Sequence, residues 1–119
     1  MDLLGPATTA VYTSMAANRI EILQQFVDAN PNDCFSRYGI AQEYVKQEDY
    51  EKALEQFNKI FEINVDYQAA YYHAGRALEK LGRAADAGET YRKGIEVAAR
   101  SGDLHARSEL ETALEELKA

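Results

Sequence analysis

The sequence predicts an all-α protein built from a repeated pair of helices, and three observations carry that expectation. Only two prolines and seven glycines interrupt 119 residues rich in Ala, Leu, Glu, Lys, Gln and Arg, a composition that favours helix. Apolar residues recur at helical spacing, whereas alternating runs of Val, Ile and Thr, which strands need, are scarce. The chain also matches itself when slid by 34 residues: Tyr38 falls on Tyr72, Lys46 on Lys80, Ala53 on Ala87, Glu55 on Glu89, Lys59 on Lys93 and Glu62 on Glu96. A period of that length marks stacked units that bury one continuous core.

The elements follow in order. "NRIEILQQFVDANPND" has the pattern of one amphipathic helix ending at Pro31. Ile40, Ala41, Tyr44 and Val45 place an apolar stripe on a helix over 34–47. Asp49 is the N-cap of the next, where Ala53, Leu54, Phe57, Ile60, Phe61 and Ile63 give a wide apolar face. Asp66 is placed to cap a third helix over Tyr67–Leu81. Gly82 follows because the chain must leave that helix through the left-handed region. A fourth helix runs over Ala84–Ala99. Over 103–118, Leu104, Leu110, Ala113, Leu114 and Leu117 form a single apolar stripe opposite a glutamate-rich face, as expected of a helix that hides the open end of a stack. Residues 1–16 stand apart, as a tail or a docked helix. Met15 opens a good helical pattern and could itself be a translation start.

These units resemble tetratricopeptide repeats. The family pattern, W-x2-L-G-x2-Y then A-x3-F then P, is echoed by Ile40-Ala41-x2-Tyr44 and Ala53-x3-Phe57, and again by Tyr71-x2-Ala74-Gly75-x2-Leu78, Gly82 and Ala87-x3-Tyr91. Small residues at Ala41, Gly75, Ala53 and Ala87 let helices approach, and Phe57 and Tyr91 fill the space beside them. Three departures stand out: Arg37 replaces an aromatic, Ile60 a small residue, and Val65 and Ala99 the closing proline. The resemblance implies a right-handed α-solenoid of antiparallel helix pairs. Its repeats would fall at about 34–67 and 68–101, after an N-terminal half-repeat and before a capping helix at 103–118, within a domain of residues 17–119.

In that family the first helix of each unit lines a concave groove that holds peptides, which implies a non-catalytic interaction module with a protein or peptide partner. Tyr72 lies about 100° round the helix from Tyr71, so one tyrosine builds the repeat and its neighbour faces a ligand. Tyr38, Gln42 and Lys46 in one unit, and Tyr72, His73, Arg76 and Lys80 in the next, are the groove candidates. A segment of some acidic and apolar character would suit them. The competing reading is that Tyr38 stacks on Tyr72 while Lys46 and Lys80 complement helix C-termini. A family variant grips C-terminal carboxylates with lysine, asparagines and arginine; the residues here at those places are Tyr38, Gln42, His73, Asp103 and Arg107, and only Arg107 fits. Self-association into a homodimer, through terminal helices or the N-terminal segment, is the alternative.

Other classes find little support. The formal charge of −7 disfavours nucleic acid, since phosphate contacts need clustered bases. Only residues 67–100 are locally basic, with Arg76, Lys80, Arg83, Arg92, Lys93 and Arg100 against four acids. No run approaches a membrane span, and "MDLLGPATTAVYTS" lacks the basic start of a secretion signal, so a cytoplasmic protein is expected. Cys34 is the one cysteine and reads as a small semi-buried residue rather than a reactive thiol. His73 and His105 have no companions at ligand spacing, so neither a metal nor any other cofactor is expected. Phosphate-loop, zinc-protease and calcium-loop motifs are absent from the sequence.

Overall fold

The computed structural model of the protein describes the backbone of residues 6–118 and, from Met15 onward except Ala16, their side chains. Among the described residues there are six helices and no strand: α1 (Pro6–Ala29), α2 (Cys34–Lys46), α3 (Tyr50–Ile63), α4 (Ala69–Lys80), α5 (Ala84–Ser101) and α6 (Leu104–Lys118). Each helix packs on the next in sequence, and α4 also touches α6. The result is an all-α helical-repeat solenoid. The expected division between a segment 1–16 and the rest falls inside α1, and residues 1–5 lie outside the described ones.

Local chemistry sets several helix ends. Asp33 accepts from Ser36 N at 3.0 Å and opens α2, and Asp49 accepts from Lys52 N at 3.3 Å and opens α3. Each satisfies one of the amides that a first turn leaves without an intrahelical partner. Gly82 leaves α4 at φ 76°, as its sequence position requires. The same backbone shape in the preceding unit is taken by Glu48 at φ 59°, where a side chain is disfavoured.

Asp66 does not cap α4. The N-cap is Gln68, which has no side-chain cap bond. Asn64 Oδ1 accepts from Asp66 N at 3.0 Å, so the turn is closed before Asp66, and its carboxylate instead meets Arg100 at 2.8 Å. Asp66 stands one residue short of the cap position: it corresponds to Asn32, whose amide closes the same turn on Asn30, and the place that Asp33 holds in the preceding unit is taken by Tyr67. The same junction is tied a second time, with Gln68 donating to Asp103 at 2.6 Å while Asp103 caps α6 through Ala106 N at 3.0 Å.

The core runs between the helix pairs, where Ala41, Ala53, Phe57, Ala74, Ala87 and Tyr91 lose all contact with solvent. Gly75 is a packing contact, as the sequence required: a Cβ there would lie 2.2 Å from Tyr91 Cε1. Tyr71 is buried, stacks on Phe61 at 4.3 Å and donates its hydroxyl to the Val65 carbonyl at 2.6 Å. At the equivalent place Arg37 Nε donates to the Pro31 carbonyl at 3.0 Å. The substitution of arginine for the aromatic removes the ring and keeps the hydrogen bond.

On the outer side, α1 is fastened to α2 by a buried carboxylate. Glu43 is 6% exposed and accepts from Arg19 at 2.6 Å and Lys46 at 3.2 Å. Burial by itself would raise the Glu43 pKa, but the hydrogen bonds and charges of Arg19 and Lys46 outweigh it and hold it below the usual carboxylate range. Cys34 is half-buried and its thiol is pushed up by burial, which disfavours the reactive thiolate.

Candidate functional site

The candidate residues fall on α2 and α4, and the structure divides them into a polar–aromatic cluster and an outer rim. Tyr38 is half-buried. Its ring meets Phe57 at 6.3 Å, Tyr67 at 5.8 Å and His73 at 5.8 Å. Gln42 donates to the Tyr38 hydroxyl at 3.1 Å and lies 3.4 Å from His73 Nε2. The first bond lies within α2; the Gln42–His73 contact joins α2 to α4, through residues 31 positions apart in the chain. Tyr67 was not foreseen; it sits in the link before α4, where helical periodicity gives no signal.

Tyr72 stands on the other side of His73, edge-on to it at 5.4 Å, and its ring tilts over Tyr91 at 6.5 Å. Tyr38 over Phe57 in the preceding unit is the same arrangement one period earlier. Tyr38 and Tyr72 therefore each rest on the large residue of their own second helix and do not stack on each other. Both are half-buried and pack against the core. Tyr72 is less free of the core than its angular position suggests, because Gly75 lets α5 approach and brings Tyr91 beneath it.

Lys46, Arg76 and Lys80 form the rim. Lys46 is exposed but held by Glu43, and Arg76 lies 3.7 Å from Glu79. Lys46 and Lys80 occupy the last turns of α2 and α4, where a cation favours the helix dipole. Glu79 also accepts from the Tyr91 hydroxyl. Burial first, and then that bond, push the Tyr91 pKa well above the ordinary phenol range, so it acts as a fixed donor.

Two clefts open between α4 and α6. One, of about 210 Å³, is bordered by Gln68, Tyr72, His73 and Glu109; the other, of about 290 Å³, by Tyr72, His105, Ser108, Glu109, Thr112 and Glu116. Tyr72 and Glu109 form the shared wall. Burial lowers the His73 pKa, opposed by the Glu109 charge, which reaches the imidazole from the neighbouring helix. Glu109 was foreseen only as part of the wet face of the terminal helix. Which of the α6 glutamates turns toward α4 depends on how α6 rotates as it docks, and that is not written in α6 alone. Among the described residues no group of three His, Cys, Asp or Glu could hold a metal ion, and no helix is long and apolar enough to cross a membrane.

Paired helices offset by one period, small residues where they cross and aromatics beside them are matched by the comparison with family models, in which the tetratricopeptide repeat model fits residues 13–98. The chain belongs to the tetratricopeptide repeat family. A TPR repeat-containing protein of Pseudomonas aeruginosa is 28% identical over 98 residues, spanning 82% of this chain and 93% of the relative. A tetratricopeptide repeat domain protein from Salinibacter ruber, solved by NMR in solution, is 41% identical, covers 74% of this chain and 89% of its own, and gives a TM-score of 0.69. The Yersinia enterocolitica type III secretion chaperone SycD, solved with a peptide of the translocator YopD, is 16% identical with a TM-score of 0.78, covering 98% of this tetratricopeptide chain and 97% of its own. That last likeness is one of fold.

Proposed function

We propose that the protein is a non-catalytic, cytoplasmic interaction module that holds a peptide or helix of another protein across the face made by α2, α4 and α6. Its repeats are taken as about 34–67 and 68–101, with α1 as a preceding half-repeat and α6 as cap. The contact residues are Tyr38, Gln42, Lys46, Tyr72, His73, Arg76 and Lys80. The observation that carries the reading is the half-buried strip Tyr38–Gln42–His73–Tyr72, which runs across two repeats and ends at the two clefts beside α6. Half-exposed tyrosines fixed by neighbours present a large contact area with little side-chain entropy left to lose. A protein of the same fold, the SycD chaperone, has been solved with a peptide of the translocator YopD bound.

The test is affinity capture from native lysate with wild type and a Tyr72→Ala, Lys80→Glu variant first shown to be folded. A protein recovered by wild type and lost by the variant supports the groove; equal recovery by both moves the site elsewhere.

A second reading rests on α1. Met15, Ile22 and Phe26 are 58%, 54% and 55% exposed and fall on one side of that helix, so self-association would cover them. Sedimentation at two concentrations separates the readings: a dimer that persists on dilution and is abolished by Ile22→Glu, Phe26→Glu favours it.

A further inference from the structure

The groove carries opposite charge on its two sides. Toward α2 and α4 the bases are Lys46, Arg76 and Lys80, but Lys46 is engaged by Glu43 and Arg76 faces Glu79. Toward α6 the surface is acidic. Glu109 has only His105, at 3.7 Å, and Glu116 has no ion pair among the described residues. Both carboxylates border the 290 Å³ cleft together with Tyr72, the imidazole of His105 and the hydroxyls of Ser108 and Thr112.

That combination selects one ligand chemistry. The face of an aromatic ring and a carboxylate both attract a cation, and a guanidinium or ammonium is also a donor that carboxylates and hydroxyls can accept. An acidic side chain would be repelled by two charges at once. An apolar one would strip water from two carboxylates and return nothing to them.

Resting on the groove reading above, we propose that the cleft between α4 and α6 takes a lysine or arginine side chain of the bound protein segment, seated against Tyr72 between Glu109 and Glu116. The acidic and apolar character expected from Arg76 and Lys80 then describes only the part of the partner that crosses α4. The part that reaches α6 is basic. Because these carboxylates are exposed, the subsite contributes more to register and encounter than to total affinity.

A displayed library of random peptides is selected on wild type and counter-selected on Tyr72→Leu, which keeps bulk and removes the hydroxyl and the ring face. Retained peptides are measured by fluorescence anisotropy against wild type and against Glu109→Gln, Glu116→Gln. Each Lys or Arg of the peptide is also replaced by Gln. The expected peptides carry a base near an aromatic or apolar residue. Removing either that base or the two carboxylates weakens binding roughly fivefold to tenfold, and removing both weakens it little further. The difference shrinks between about 50 and 300 mM salt. The glutamine variant must melt like wild type. Peptides that need Tyr72 but ignore both the base and the carboxylates would leave the groove standing and overturn the cation subsite. A library that yields no peptide dependent on Tyr72 would overturn both.

Discussion

The α2–α3 pair and the α4–α5 pair solve one packing problem with different residues. Ala41 faces a region filled by Phe57, and its equivalent Gly75 makes room for the larger Tyr91. Where the first pair has Arg37 and Ile60, the second has Tyr71 and Gly94, and a Cβ on Gly94 would lie 2.7 Å from Tyr71 Cβ. Each enlargement on one helix is matched by a reduction on the other. The hydrogen bond to the carbonyl that closes the preceding unit survives in both, from Arg37 to Pro31 and from Tyr71 to Val65. A balance of large against small where helices cross is therefore what the repeat preserves, and residue identity at any one position is negotiable.

The strongest way to break that balance is Gly75→Ala. Alanine improves helix propensity by about 1 kcal/mol, yet the new Cβ would sit 2.2 Å from the Tyr91 ring. Net destabilisation of about 1–3 kcal/mol from overpacking is expected in chemical denaturation. Gly94→Ala should act in the same direction with a smaller effect. Equal or higher stability for Gly75→Ala would show that α4 and α5 are not held at this separation.

Next in size is Glu43→Gln, expected to cost about 1–2 kcal/mol, because Arg19 and Lys46 lose a charged acceptor. The position has no counterpart in the second pair, where Ala77 stands. Its pH dependence follows from the depressed carboxyl. The stabilisation is complete above the ordinary carboxylate pKa and is lost as pH falls through the lower folded value. Acid titration of wild type should lose this contribution, and the glutamine variant should show a flatter curve over that interval.

The turn after each first helix supplies a comparison of opposite sign. Glu48 at φ 59° and Gly82 at φ 76° occupy the same place in the two units. Glu48→Gly should stabilise by about 0.5–1 kcal/mol and Gly82→Ala destabilise by about 1 kcal/mol, both read from melting curves. The smallest effect belongs to Arg37→Ala. It removes bonds to Pro31 and Gln56 from a partly exposed side chain, and a loss of about 0.5–1 kcal/mol is expected. A loss as large as that from Gly75→Ala would mean that the carbonyl bond, rather than the fit of volumes, holds consecutive units together.

Much of the fold was legible in the sequence because it is set by short-range rules. A hydrophobic stripe has a period, an aspartate before it caps the first turn, and a glycine after it permits the left-handed exit. Asp49, Gly82, Gly75 and Tyr71 stand where those rules put them. Asp66 failed the same reasoning because it falls one residue before the cap position that Asp33 marks in the preceding unit, inside a turn closed by Asn64.

The candidate site was legible only in outline. Its residues on α2 and α4 could be named from one helix's angular geometry, but their neighbours could not. Tyr72 leans on Tyr91, Tyr38 meets Tyr67 and His73, and Glu109 brings charge to a groove read as basic.

By itself, then, the sequence determined the all-α class, the 34-residue period and the small-for-large exchanges that let helices pair. Tertiary structure decided which charges meet and how far each tyrosine sinks into the core. Helix periodicity is a property of a dozen consecutive residues, whereas the direction of a groove-facing carboxylate depends on the rotation of one docked helix against another.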